Sequence, residues 1–312
     1  MIIRNGKGSD MNDIIALWKK ALPYLVIDRK LFMNKIFMDP NFDSKGFFVA
    51  EENGKIAGFV NAIYRKVPIC ADAPVEKEKG WFAGFAFNRD VKGVGDALLE
   101  QGEKYLIENG KTVINTGYYP TYFVQGVDEN HTPENVELFR RRGYGEKRSI
   151  SMILNLSEYR TDPGVKQKRQ KLKDMGIEVI SLTDEYITKL FTLENDFLRP
   201  TWLVEYKSRA CDMDFDRVKI AVQGEKILGA CIFKDPGSND ERFGPFGVSP
   251  SCRGLGIGGV ILDEVLTEMK NRGLKNAWMQ WASDDKGAAV IYERAGFKVK
   301  ESYLEFEKDF SS

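Results

Sequence analysis

Residues 246–259 carry the pattern in this chain that is most able to do chemistry. A β-rich run through Phe246, Gly247 and Val248 passes Ser249, Pro250, Ser251 and Cys252. It then reaches Arg253, Gly254, Gly256, Gly258 and Gly259 at the head of an apolar helix. Glycines let backbone N–H groups come close to an anion, and a helix N-terminus adds about half a positive charge and several unpaired donors. Such a stretch is a cradle for phosphate. Little else in the chain offers a competing chemistry. The single histidine, His131, excludes an HExxH zinc site or a two-histidine iron site, and its polar surroundings read as a solvated loop. Cys70, Cys211, Cys231 and Cys252 form no CxxC pair, so reduced thiols are expected, with no metal and no disulfide framework. Cys252 lies in the glycine-rich loop, where a helix N-terminus can lower a thiol pKa; an incidental loop thiol is the plainer reading. The 46 Lys and Arg balance the 46 Asp and Glu, so no long-range field draws in nucleic acid. A bound phosphate must be held locally.

The segment that carries this loop occurs twice. Gly93, Gly95, Leu98 and Leu99 recur as Gly256, Gly258, Ile261 and Leu262 at a constant offset of 163, which extends to Gly110 and Gly273. Upstream, Lys55, Ile56 and Gly58 match Lys226, Ile227 and Gly229 at 171. Downstream, Phe139, Gly143 and Tyr144 match Tyr292, Gly296 and Phe297 at 153. Drifting offsets around equivalent elements mean loops of different length, so the chain is two copies of one domain. The expected bounds are 1–157 for the first, 158–176 for a basic helical linker, and 177–312 for the second. The linker charges, among them Lys166, Lys168 and Arg169, read as a solvated face.

Each copy repeats the same order of elements. A helix begins after Asp10, β-rich runs at 47–51 and 56–64 flank the hairpin signal Asn53-Gly54, and a strand at 81–87 feeds a helix over 94–109. A strand at 112–116, a helix at 133–141 and a strand at 149–156 complete the copy. The second copy gives strands at 177–180, 242–248, 277–282 and 299–307, a hairpin over 218–233 turning at Gly224 and Glu225, and helices at 184–197, 256–272 and 286–294. The class is α/β with a mixed sheet, each domain a mostly antiparallel central sheet flanked by helices. No uncharged apolar stretch approaches the ~20 residues of a membrane span, and the N-terminus does not read as a signal peptide. A cytoplasmic protein, monomeric or homodimeric, is expected.

The order Arg253, Gly254, Gly256, Gly258, Gly259 resembles the acyl-CoA loop of the Gcn5-related N-acetyltransferases, the GNAT superfamily. Tyr292 followed by Gly296 and Phe297 is similar to that family's closing signature, and the resemblance runs through both copies as a tandem. It implies an acetyl-CoA-dependent transfer to a primary amine of a small molecule or peptide, by direct attack in a ternary complex. By position, the backbone N–H of Val248 or its neighbour Gly247 would polarise the thioester carbonyl. Arg253, Gly254, Gly256, Ile257, Gly258 and Gly259 would hold the pyrophosphate. Tyr292 would protonate the departing sulfur, or simply anchor its helix as a buried aromatic. Asp285 stands where the family often has an Asn that contacts the cofactor. Glu241, before the strand, is the candidate base, and Gln280 lies on the next strand. A non-catalytic acyl-CoA sensor or scaffold is the alternative. Gly254, Gly256 and Gly259 also satisfy GxGxxG, but a dinucleotide fold places that loop directly after its first strand, which ranks an oxidoreductase lower.

The first copy departs from the pattern. Asp90 replaces Arg253, a carboxylate where pyrophosphate would sit, and Phe139 replaces Tyr292. It is expected to be non-catalytic. Its aromatic loop over 117–128 would wall an acceptor pocket in the other domain or close its own core. In the second copy, Trp202 and Tyr206 beside Glu205, Asp212, Asp214 and Asp216 suit a cationic amine, with a solvated acidic loop as the alternative.

Overall fold

A computed structural model describes residues 1–311 except 24, 71–72, 74, 118, 120–123, 210–213, 236–238 and 284–288, and the backbone alone at 208, 209, 235, 239, 281 and 283. The chain forms two compact units, Met1–Ser149 with Ser302–Ser312, and Ile150–Glu301.

In the first unit, β1 (Ile2–Asn5) leads to α1 (Met11–Ala21), α2 (Arg29–Phe32), β2 (Phe47–Glu52), β3 (Lys55–Ile63) and β4 (Lys79–Phe87). There follow α3 (Val94–Glu108), β5 (Val113–Thr116), β6 (Val127–Asp128), α4 (Pro133–Arg141) and β7 (Gly145–Asn155). Asp10 does more than precede α1. It accepts from the Lys7 N–H at 2.7 Å and is gripped by the Arg4 guanidinium, which closes a 3-10 turn ahead of the helix. The β2–β3 hairpin turns at Asn53 and Gly54, both with positive φ, the primed geometry that Asn-Gly favours. β1 to β4 pair antiparallel in chain order, and β4 pairs parallel with β5 from Lys79↔Val113 to Phe82↔Thr116. One core packs α1 on the sheet around Ile14, Trp18 and Phe59; the other includes Leu98, Leu106 and Phe139.

In the second unit, α5 (Pro163–Asp174), β8 (Glu178–Ser181), α6 (Asp184–Leu190) and α7 (Pro200–Arg209) precede β9 (Val218–Gln223), β10 (Lys226–Asp235) and β11 (Asn239–Val248). α8 (Ile257–Asn271), β12 (Asn276–Ser283), α9 (Ala289–Arg294) and β13 (Lys298–Asp309) follow. The sheet order is β7-β12-β11-β10-β9-β8, antiparallel from β8 to β11 and parallel between β11 and β12. Val260, Ile261, Val265, Leu266 and Met269 of α8 share a core with Ala221, Leu228, Leu154 and Leu156. The helix expected over 184–197 stops at Leu190, because the Asn195 carboxamide donates to the Lys189 and Leu190 carbonyls and caps them.

Three segments fall elsewhere than the repeat bounds imply. Residues 150–157, including the end of β7, belong to the second unit, where Leu154 and Leu156 are buried in its core. Asp162 and Pro163, within the expected linker, start α5: the Asp162 carboxylate caps the Gly164 N–H at 2.7 Å and Pro163 takes the first helical position. α5 belongs to the second unit, with Leu172 buried in its core. The last strand runs the other way. Residues 302–312 belong to the first unit: Tyr303 and Leu304 pair antiparallel with β6, Glu307↔Asn115 through Asp309↔Val113 pair antiparallel with β5, and Phe306 stacks on Phe139 with ring centres 5.0 Å apart. Among the described residues no helix is long and apolar enough to cross a membrane.

Candidate active site

β11 sets the geometry of the second unit's site. Its register with β10 slips between Cys231 and Phe233, where Gly244 and Pro245 add one residue as a bulge. On its other side, the described ladder to β12 is the single parallel pair Arg242↔Trp278. In the first unit the equivalent ladder has four pairs. From Phe243 to Val248, β11 has β10 on one side and the β12 side on the other. The Ser249 N–H donates to Leu228 O of β10 at 2.8 Å. Since backbone donors alternate along a strand, the Gly247 N–H also faces β10, while those of Val248 and Phe246 face the β12 side. Of the two expected donors, Val248 is thus the one directed away from β10.

Beyond Val248, a 3-10 turn at Pro250–Cys252 brings the chain to Gly254 and Gly256, with φ of +86° and +91°. Gly256 is the left-handed N-cap of α8, a conformation that a side chain would strain. The first-turn N–H groups of Ile257, Gly258 and Gly259 have no acceptor within the helix. A side chain at Gly259 would meet nothing within 4 Å, so packing does not require glycine there. Gly258 lies against Phe246, Val248 and Ile291. Arg253 is exposed and forms no ion pair among the described residues.

Tyr292 lies on α9 beneath this loop. Its ring is packed by Phe243, Phe246 and Phe297, with centres 5.7, 6.2 and 5.7 Å away. Its hydroxyl has no hydrogen-bond partner among the described residues, and burial pushes its pKa up, so it stays protonated at any working pH. The structure thus joins Val248, Gly258 and Tyr292 through the Phe246 ring. It does not bring Glu241 to them. That carboxylate accepts from the Lys275 and Asn276 N–H groups at 2.9 and 3.0 Å and fixes the start of β12, roughly 20 Å along β11 from Val248. Asp285 lies outside the described residues. Cys252 is half-buried beside Ser251.

The α7 segment covers the bulge. A Cβ at Gly247 would stand 3.0 Å from Trp202, and the buried Tyr206 hydroxyl donates to Pro245 O at 2.9 Å. Asp214 does not face a pocket as an open anion. It pairs with Arg272 at 2.7 Å and Arg217 at 2.6 Å, which lower its pKa to about 2. Because the folded pKa lies below the ordinary one, this stabilisation is full above about pH 4 and is lost as pH falls through 2. Asp214→Asn should destabilise the protein by about 1 kcal/mol near neutrality after solvent screening. The gap from wild type in thermal melts should close between pH 4 and pH 2; a constant gap would contradict the pairing. Asp196 had no signal in the sequence: it accepts from the buried Ser249 hydroxyl at 2.9 Å, across 53 positions, and ties the loop before α7 to the end of β11.

The first unit keeps the turn but not these groups. Gly93 is a left-handed N-cap for α3, yet Asp90 is exposed and paired with Lys20 at 3.1 Å, and Phe139 is fully buried. Tyr119 of the aromatic loop is buried in its own unit, where it packs on Trp81 and donates to Asp39 at 3.1 Å; 118 and 120–123 of that loop lie outside the described residues. His131 is anchored to Asp128, with Nδ1 3.0 Å from Oδ1. Among the described residues no cluster of His, Cys, Asp and Glu could hold a metal.

The model of the acetyltransferase (GNAT) family matches residues 12–122 and again 187–297. No curated protein matches in sequence. Among solved structures, the chain is similar to the GCN5-related glucosamine N-acetyltransferase region of a fungal multi-domain GH3 β-N-acetylglucosaminidase, with TM-score 0.74 and 17% identity. That match covers 98% of this chain and 38% of the longer protein. It also resembles a GCN5-related N-acetyltransferase from Sphaerobacter thermophilus, with TM-score 0.70 and 18% identity over 99% and 95% of the two chains. A tandem GNAT protein from the clavulanic acid biosynthesis pathway matches with TM-score 0.56 and 12% identity over 85% and 83%. At these identities the structures show a shared fold. The family match covers both copies and more than two thirds of the chain, and the protein belongs to the GNAT acetyltransferase family as a tandem of two such domains.

Proposed function

We propose that the second unit transfers an acetyl group from acetyl-CoA to a primary amine of a small molecule or peptide, and that the first unit does not catalyse. The observation that carries this reading is the pairing of the Gly254–Gly259 turn with a Val248 N–H that points away from β10, to the β12 side of β11. Acetyl-CoA would supply the activated thioester. Arg253 and the amides of Gly256, Ile257, Gly258 and Gly259 hold the pyrophosphate, and glycine at 259 leaves that approach open. The Val248 N–H offers a fixed donor to a developing oxyanion, worth about 10²–10³ in rate for such groups. Tyr292 holds a proton on its hydroxyl for the departing thiolate. Trp202 and Tyr206 wall the side of β11 from which an amine would attack directly, in a ternary complex.

The first unit supports the same division of labour, since Asp90 and Phe139 stand where Arg253 and Tyr292 stand in the second. The engagement of Glu241 at β12 favours one other reading, a binder of acyl-CoA without turnover. Arg253→Glu should raise the Kd for acetyl-CoA about ten- to a hundredfold, since it replaces a charge-assisted contact with a repulsion. Unchanged affinity in a calorimetric titration would remove the loop as the pyrophosphate site. Free-thiol release across polyamines, amino sugars, amino acids and peptides separates enzyme from binder; silence with binding intact would sink the transferase reading.

A further inference from the structure

The cradle has a neighbour that lies outside both stretches matched by the family. A Cβ at Gly256 would lie 2.9 Å from Cδ, 3.2 Å from Cγ and 3.5 Å from Cβ of Lys168 on α5. The lysine stem therefore runs across the N-cap of α8. Two further bonds separate Cδ from the ammonium, so Nζ lies within about 5.5 Å of that point. The side chain is exposed and forms no ion pair among the described residues.

Its position is imposed by the rest of α5. Arg169 bridges to Asp263 at 2.7 Å and to Glu264 on α8, Leu172 is buried, and Val165 packs on the same core. Tyr159, just before α5, donates to Asp263 at 2.6 Å, and Lys270 donates to the Tyr159 carbonyl at 2.8 Å. The nearby α8 carboxylates are thus already paired with Arg169 and Tyr159. A cation held at a helix N-terminus is unfavourable by itself, because that end carries the positive pole. The same placement becomes favourable when an anion occupies the first-turn amides.

We propose that Lys168 is a phosphate-binding residue of the acetyl-CoA site, a cation carried on α5 whose stem crosses the N-cap of α8. This rests on the acetyl-CoA reading of the loop. Lys168 and Arg253 then supply locally the positive charge that a chain of zero net charge lacks as a long-range field. Lys166, on the same helix and equally exposed, has no contact with Gly256 and serves as the control.

Acetyl-CoA is titrated into the full chain and into Lys168→Gln, Lys168→Arg and Lys166→Gln at several salt concentrations. Lys168→Gln should weaken binding about five- to thirtyfold and flatten the salt dependence. Lys168→Arg should stay within a few-fold of wild type, and Lys166→Gln should match it. Equal weakening by both Gln variants would mean a diffuse charge effect and overturn the assignment. Unchanged or tighter binding by Lys168→Gln would also overturn it, the tighter case marking the stem as an obstruction. In both of those results the wild type binds and the acetyl-CoA reading stands. Absence of acetyl-CoA binding by the wild type would remove that reading and the role of Lys168 together.

Discussion

Replacing Tyr292 by Phe should lower turnover ten- to a thousandfold while acetyl-CoA affinity stays within a few-fold of wild type. The ring is clamped by Phe243, Phe246 and Phe297, so removal of the oxygen alone leaves the packing of α9 intact. No hydrogen bond among the described residues is lost with it, and stability should change little. What disappears is a proton on an atom whose burial keeps it neutral, beside the ring that joins Val248 to the cradle. The range follows from typical acid–base contributions. Steady-state thiol release and a titration of the same variant separate the two quantities. Unchanged turnover would leave Tyr292 as an aromatic anchor and nothing more.

Ending the chain at Glu301 should unfold the first unit, although every residue removed belongs to the second copy in sequence. The lost segment supplies Leu304 and Phe306, both buried in the first unit's core, and the ladder to β5. Removing those two side chains alone costs more than about 5 kcal/mol, which is comparable to the whole stability of an ordinary domain. It would also strip the stacked partner from Phe139 and leave β5 with an open edge. Hydrogen exchange should show loss of protection across 113–116 and 133–141 in the truncated chain. Equal protection in the full and truncated chains at those positions would contradict the exchange of the last strand.

The order of elements was legible because it is written twice, and each copy corrects the other. So was the hairpin at Asn53-Gly54, where local conformation depends on residues that are themselves local. The owner of the last strand was not. A β-run at 298–309 has the same alternation whichever sheet receives it, and only pairing with β5, some 190 positions away, decides. The choice between Val248 and Gly247 needed the register with β10, since composition does not say which way an amide points. Glu241 looked available as an isolated acid before a strand; among its partners are backbone groups 34 and 35 residues on, which leave no mark in a pattern of side chains. Lys168 was one charge among several on a helix, and its separate meaning appears only where α5 meets Gly256.

The central claim is that one of two like domains has kept a site for acetyl-CoA, and stoichiometry tests it most directly. Calorimetric titration of the full chain with acetyl-CoA, beside a parallel titration with NADH, should give one site per chain for the first ligand and no heat for the second. Two equivalent sites, binding of NADH instead, or no binding of acetyl-CoA would contradict it.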